Sequence, residues 1–236
     1  MSEATVSISR IQKFLELPEL SSLNTPPPLA NEDGDASIVV SQATCHWNRS
    51  LQVKGPNFRV HGDPSSPNSN DESAGLVVAL DNISLRFDKG TLTFVIGEVG
   101  AGKSALLQML AGEITLSSGL IQMRAGSTLA YASQEPFLMQ GSVRENILFG
   151  RPYDGLTYQT VSHACGLDKD FAQLSDGDAT IVGGDRGVQL SGGQRARVAL
   201  ARAFYQDGDI LLLDDPLSAG NFLFAISFCG TVLNAN

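Results

Sequence analysis

The sequence predicts an α/β fold organised around a parallel core sheet, and three stretches carry that reading. Phe94-Val95-Ile96 reads as a buried strand and Ala105-Leu106-Leu107-Gln108-Met109-Leu110 as a helix, joined by a glycine-rich loop. A second apolar strand, Ile210-Leu211-Leu212-Leu213, ends in two carboxylates, Asp214 and Asp215. Unbroken apolar runs of this kind suit parallel strands buried on both faces, whose carboxyl ends are where such sheets place their ligands.

The loop between strand and helix is Gly97-Glu98-Val99-Gly100-Ala101-Gly102-Lys103-Ser104, which has the spacing of a phosphate-binding loop. At the start of a helix, free backbone N–H groups and the positive end of the dipole both face an incoming anion. Gly97, Gly100 and Gly102 allow the tight wrap that side chains would block. Lys103 is then expected on the β- and γ-phosphates, and the Ser104 hydroxyl on Mg²⁺.

Composition narrows the class. The chain has 236 residues, 42% of them hydrophobic and 17% charged, which describes a globular protein. Its net charge is −9 and no basic stripe is evident, so nucleic-acid binding through phosphate neutralisation is disfavoured. Cys45, Cys165 and Cys229 show neither metal-ligand spacing nor a disulfide framework, which points to a reducing compartment. The start lacks the basic and apolar regions of a secretory signal. The longest apolar run, residues 222–233, is broken by Ser227, Gly230 and Thr231 and falls short of the roughly 20 residues a membrane helix needs.

Taken in order, residues 5–17 read as an amphipathic helix stopped by Pro18, and Pro26-Pro27-Pro28 with Asn31-Glu32-Asp33-Gly34-Asp35 as a linker. A strand opens at Ser37-Ile38-Val39-Val40 and runs towards Cys45-His46-Trp47. Trp47 offers a face to stack on an adenine ring, with ordinary core packing as the competing role. Residues 48–75 read as a disordered polar insertion. Strand patterning resumes over 76–80 and 83–87, and Asp88-Lys89-Gly90 is the turn into the loop strand. Thr128-Leu129-Ala130-Tyr131-Ala132 is another buried strand, delivering Gln134 to a place where it can ligate Mg²⁺ or hold a water.

Ser142 reads as the N-cap of a short helix that Gly150 ends, and further helical pieces cover roughly 158–174. Ser191 caps the next helix, whose first turn, Gly192-Gly193-Gln194, leaves N–H groups for a second phosphate. Arg195, Arg197 and Arg202 read as its solvated face. Asp214 is expected to hold Mg²⁺ through water, and Asp215 to polarise an attacking water.

Over residues 37–219 these motifs resemble the nucleotide-binding domain of an ATP-binding cassette (ABC) transporter. The phosphate loop, the Gln loop at Gln134, the signature Leu190-Ser191-Gly192-Gly193-Gln194 and the Asp strand at 210–215 stand in the family's order. Arg195-Ala196-Arg197, Asp214-Asp215-Pro216-Leu217-Ser218-Ala219 and Gly141-to-Gly150 resemble the first cassette of the C, multidrug-resistance-associated, subfamily. The resemblance implies a P-loop NTPase with a parallel core sheet, an antiparallel β-subdomain and a helical signature subdomain. It implies MgATP as ligand, with Trp47 on the adenine. It also implies a second cassette facing this one head to tail, transmembrane domains as partners, and a place on the cytoplasmic face of a membrane. Val6 to Leu15 then resemble the linker that follows a first transmembrane domain, within a linker region of residues 1–36.

Two departures carry expectations. Asp215 stands where the family usually has Glu, which implies slow hydrolysis. After Ala219 the family's next strand and its switch His do not follow, so the core reads as truncated and residues 220–236 as an atypical tail, either a makeshift strand over Phe222 to Val232 or, the favoured reading, non-native read-through sequence. Hydrolysis by the chain alone is therefore expected to be impaired. Three other readings stay open: a soluble cassette protein of DNA repair or translation, a non-catalytic regulatory fragment in the cytosol that binds ATP or a partner cassette, and a misassembled product.

Overall fold

A computed structural model describes residues 35–48, 76–114, 116–184 and 187–216, with isolated positions 8, 9, 12, 28 and 29. The predicted insertion beyond Asn48 and the tail at 220–236 lie outside the described residues, as does most of the amphipathic helix, of which Ile8, Ser9 and Gln12 are helical. The chain divides into two compact units, one of residues 1–89 and 112–123, the other of residues 90–111 and 124–236.

The first unit is an antiparallel sheet of β1 (Ala36–Asn48), β2 (Leu76–Asp88) and β3 (Leu116–Met123), with β1 in the centre. The two predicted strands over 76–80 and 83–87 are thus one. Alternation sends Ala36, Ile38 and Val40 into the core, then breaks, and resumes at Ala43 and Cys45. The break is a bulge: the pairing shifts between Val40 and Ala43, where Gln42 takes φ 48°. One extra residue there restores the apolar side chains to the buried face.

The second unit begins with α1 (Lys103–Leu110), which buries Ala105, Leu106, Met109 and Leu110 along one stripe. Among the described residues the parallel sheet is a pair, β4 (Leu129–Ala132) beside β7 (Ile210–Leu213), in register from Leu129↔Ile210 to Ala132↔Leu213. Between them come β5 (Gly141–Ser142), α2 (Val143–Leu148), α3 (Gly155–Ala164), α4 (Asp168–Gln173), a 3-10 turn (Gly177–Ala179), β6 (Ile181–Val182) and α5 (Gly192–Tyr205). β5 pairs antiparallel with β6. Ile147 of α2, Val161 of α3 and Val198 and Ala201 of α5 meet in one apolar cluster, the last two three residues apart on one helix face.

The predicted strand at Phe94-Val95-Ile96 is not formed. Among the described residues no strand pairs with it, and the three side chains are 59%, 40% and 90% exposed. A strand exists only through its neighbours, and an apolar run without a hydrogen-bonded partner stays irregular.

Candidate functional site

The phosphate loop keeps its geometry without that strand. Gly100 and Gly102 take φ 86° and 89°, the left-handed region in which side chains are disfavoured. Gly102 is the N-cap of α1 and supplies no side chain, so no capping oxygen competes for the N–H groups of the first turn. Lys103 Nζ donates to the carbonyls of Gly97 at 3.0 Å and Glu98 at 2.8 Å, drawing the loop round the ammonium. Ser104 follows in the first turn and is half-buried.

Gln134 and the paired acids stand at one end of the parallel pair. The β4–β7 ladder continues one step, with the Asp214 N–H donating to the Ala132 carbonyl at 2.9 Å. Gln134 lies two residues beyond Ala132, so the carboxyl ends of both strands bring the Gln loop and the acids to a single edge. Asp215 is exposed at φ 48°, a conformation that costs a non-glycine residue about 1–2 kcal/mol. Such strain gathers where surrounding structure imposes a direction on a side chain.

The signature turn is closed by a reciprocal cap. Gln194 N–H donates to Ser191 Oγ at 3.2 Å, and Ser191 N–H donates to Gln194 Oε1 at 2.9 Å. The predicted N-cap is therefore correct, but the Gln194 side chain is engaged within the turn. Gly192 and Gly193 carry the remaining first-turn N–H groups, and a Cβ on Gly192 meets nothing within 4 Å. Among the described residues no hydrogen bond joins this turn to the phosphate loop. Trp47 sits near the end of β1, opposite Val77 and 37% exposed, in the other unit.

The expectation of a solvated arginine face on α5 holds only for Arg195. Arg202 is buried, and burial lowers the pKa of its guanidinium. Arg197 grips the buried carboxylate of Asp170 from α4, Nε to Oδ2 at 2.6 Å and Nη2 to Oδ1 at 2.8 Å. Those two bonds raise the pKa of Arg197. A helix of mean composition like α5 shows its arginines as surface residues; the apolar neighbours at 198–201 were the only signal that it is enclosed.

The donor set fits a nucleotide phosphate. Loop N–H groups and an ammonium suit an anion. The Ser104 hydroxyl and the Asp214 carboxylate are hard oxygen ligands of the kind Mg²⁺ takes in company with phosphate oxygens and water. Among the described residues there is no group of three or more His, Cys, Asp or Glu able to hold a metal unaided. None of the described helices is long and apolar enough to cross a membrane.

A family profile described as ABC transporter matches residues 80–218. ATP-binding cassette sub-family C member 4 of Mus musculus is 43% identical over 233 residues, which cover 97% of this chain and 15% of that protein. The Homo sapiens protein of the same name is 42% identical over 234 residues, 97% of this chain and 15% of its own length. Metal resistance protein YCF1 of Saccharomyces cerevisiae is 40% identical over 219 residues, 92% of this chain and 13% of that protein. The chain thus spans about 15% of the length of the curated relatives it matches.

Proposed function

The chain belongs to the ABC transporter family, and from that premise we propose that residues 37–219 bind MgATP as the first cassette of a C-subfamily exporter. The observation that carries the reading is the loop at 97–104, with two left-handed glycines, an uncapped helix start and an ammonium held over the loop carbonyls. In it the loop N–H groups and Lys103 take the phosphates, and Ser104 and Asp214 hold Mg²⁺ with Gln134 beside them.

Bound Mg²⁺ supplies charge neutralisation at the phosphates. The protein's share is orientation. Asp215 takes the place from which a carboxylate accepts a proton from water; its side chain is one methylene shorter than glutamate, and slow turnover follows. The Gly192 and Gly193 N–H groups, left open by the cap, serve the nucleotide of a second cassette packed head to tail, which also brings the membrane-spanning partners at a cytoplasmic membrane face.

Calorimetric titration of the full chain with MgATP tests the reading. Saturable one-to-one binding is expected in the wild type, weakened at least tenfold in Lys103→Ala with the melting temperature unchanged. Equal affinity in both proteins sinks it.

A further inference from the structure

Asn146, on α2, is almost wholly enclosed at 1% exposure, and every polar atom of its carboxamide is used. Met139 N–H donates to Oδ1 at 2.9 Å, while Nδ2 donates to the carbonyls of Met139 at 2.9 Å and Ser142 at 3.0 Å. The two bonds to Met139 reproduce the exchange between residues of adjacent strands, so one side chain stands in for a β neighbour. The segment that runs from Gln134 to Met139 is pinned at its far end in this way.

Arg202 of α5 reaches the same group. Its Nε donates to the Asn146 carbonyl at 2.8 Å and its Nη2 to Asn146 Oδ1 at 3.0 Å. The guanidinium carbon lies 4.7 Å from the ring centroids of both Phe137 and Phe149. Among the described residues no carboxylate is within ion-pair reach of it. An uncompensated cation is an expensive way to fill a core, and a leucine or methionine would pack the space without that penalty. Packing alone does not account for arginine here. The planar fork that binds Asn146 at two points while stacking on two rings does.

We propose that Asn146 and Arg202 are positioning residues that lock the Gln134 segment to the helix carrying Ser191–Gln194, so that the two shift as one body. The proposal rests on the nucleotide-binding reading for what moves the body, and on the hydrogen bonds for the lock. From Arg202 back to Ser191 is eleven residues of α5, about 16 Å of helix, long enough to carry a displacement at Met139 to the open N–H groups of Gly192 and Gly193.

Native-state hydrogen exchange on the full chain decides it. Without nucleotide, the Met139 amide and the Arg195 amide, which bonds the Ser191 carbonyl, are expected to open together across a denaturant series; separate openings in the wild type overturn the lock. With MgATP, both amides and those of 97–104 are expected to gain protection. In Arg202→Lys, which keeps the charge but loses the fork, protection at 97–104 is expected to persist while that at Arg195 falls at least fivefold. Undiminished transmission to Arg195 in that variant overturns the proposal. Should Arg202→Lys fail to fold, Asn146→Asp removes the donors to Met139 and Ser142 while giving Arg202 a counter-charge, with the same expectation. Absence of protection at 97–104 in the wild type defeats the nucleotide reading alone, because co-opening without nucleotide still tests the lock.

Discussion

A single carboxylate oxygen of Asp209 receives both the N–H and the hydroxyl of Thr128, each at 2.8 Å. Thr128 answers with its carbonyl, which accepts the N–H of Ile210 at 3.0 Å. This clamp sets the register of β4 and β7 where the pair begins, and the register decides that Asp214 arrives beside Ala132 at the other end. Asp209→Ala is expected to lower stability by about 1–2 kcal/mol in urea unfolding, because two donors lose a charged acceptor. A change under about 0.3 kcal/mol would mean water replaces the clamp without loss.

Ser191 has two separable duties. Ser191→Ala removes half of the reciprocal cap and is expected to cost about 1 kcal/mol of stability. Ser191→Asp keeps a capping oxygen and is expected to hold stability, yet its charge repels an anion at Gly192 and Gly193. Pull-down of the variant by a C-subfamily cassette, with MgATP present, is expected to weaken at least fivefold. Equal capture by Ser191→Asp and wild type would remove this turn from the nucleotide interface.

Acid should erode the helical cluster through Asp178. Burial pulls its carboxyl upward, but hydrogen bonds from Arg144 and Tyr158 outweigh that and leave it below the ordinary carboxylate value. Glu145 and Asp154 are lowered by their capping bonds to Ser142 and Thr157. A carboxyl lowered in the folded state stabilises fully above its unfolded value, near pH 4, and that contribution drains as pH falls through the folded one. Stability is thus expected to be level between pH 7 and about pH 5 and to fall below about pH 4, with a shallower acid limb in Asp178→Asn. Burial, then the bond to Asp178, raises the Tyr158 hydroxyl, so a second loss is expected above about pH 10 as the unfolded tyrosine ionises first. An acid limb of unchanged slope in Asp178→Asn would count against the assignment.

Gly119 faces the bulge of β1. A Cβ there would lie 2.3 Å from the Gln42 carbonyl oxygen, with φ at 83°. Gly126, at φ 76°, has nothing within 4 Å of the same atom. Gly119→Ala is expected to cost more than about 3 kcal/mol, against about 1 kcal/mol for Gly126→Ala, which meets only the backbone penalty. Thermal melts of the two variants separate collision from conformation; similar values would show that β1 relaxes.

Features written into neighbouring residues were legible in the sequence. The Ser142 and Ser191 caps, the apolar run at 210–213 and the glycine spacing at 97–104 each act over one turn or one strand, and each appears where it was expected. Features that depend on distant partners were not. β3 escaped notice because Ser117, Ser118 and Gly119 are poor strand residues, ordered by pairing with β1. Phe94-Val95-Ile96 has strand composition but lacks a paired neighbour among the described residues. Arg202 looked like surface because nothing near it in sequence announces Asn146.

The unpaired run before the phosphate loop bears on how the isolated chain behaves in solution. Leu92, Phe94 and Ile96 are exposed and alternate along a segment that no described strand pairs with. Such a run is a template for self-association through backbone pairing between molecules. In ordinary salt, screening confines the repulsion from the net charge of −9 to separations within about 8–10 Å, so copies meet at longer range unopposed and the charge resists the apolar run only at close approach. The solubility ceiling of the chain is therefore set next to its nucleotide loop, and added salt brings that ceiling down.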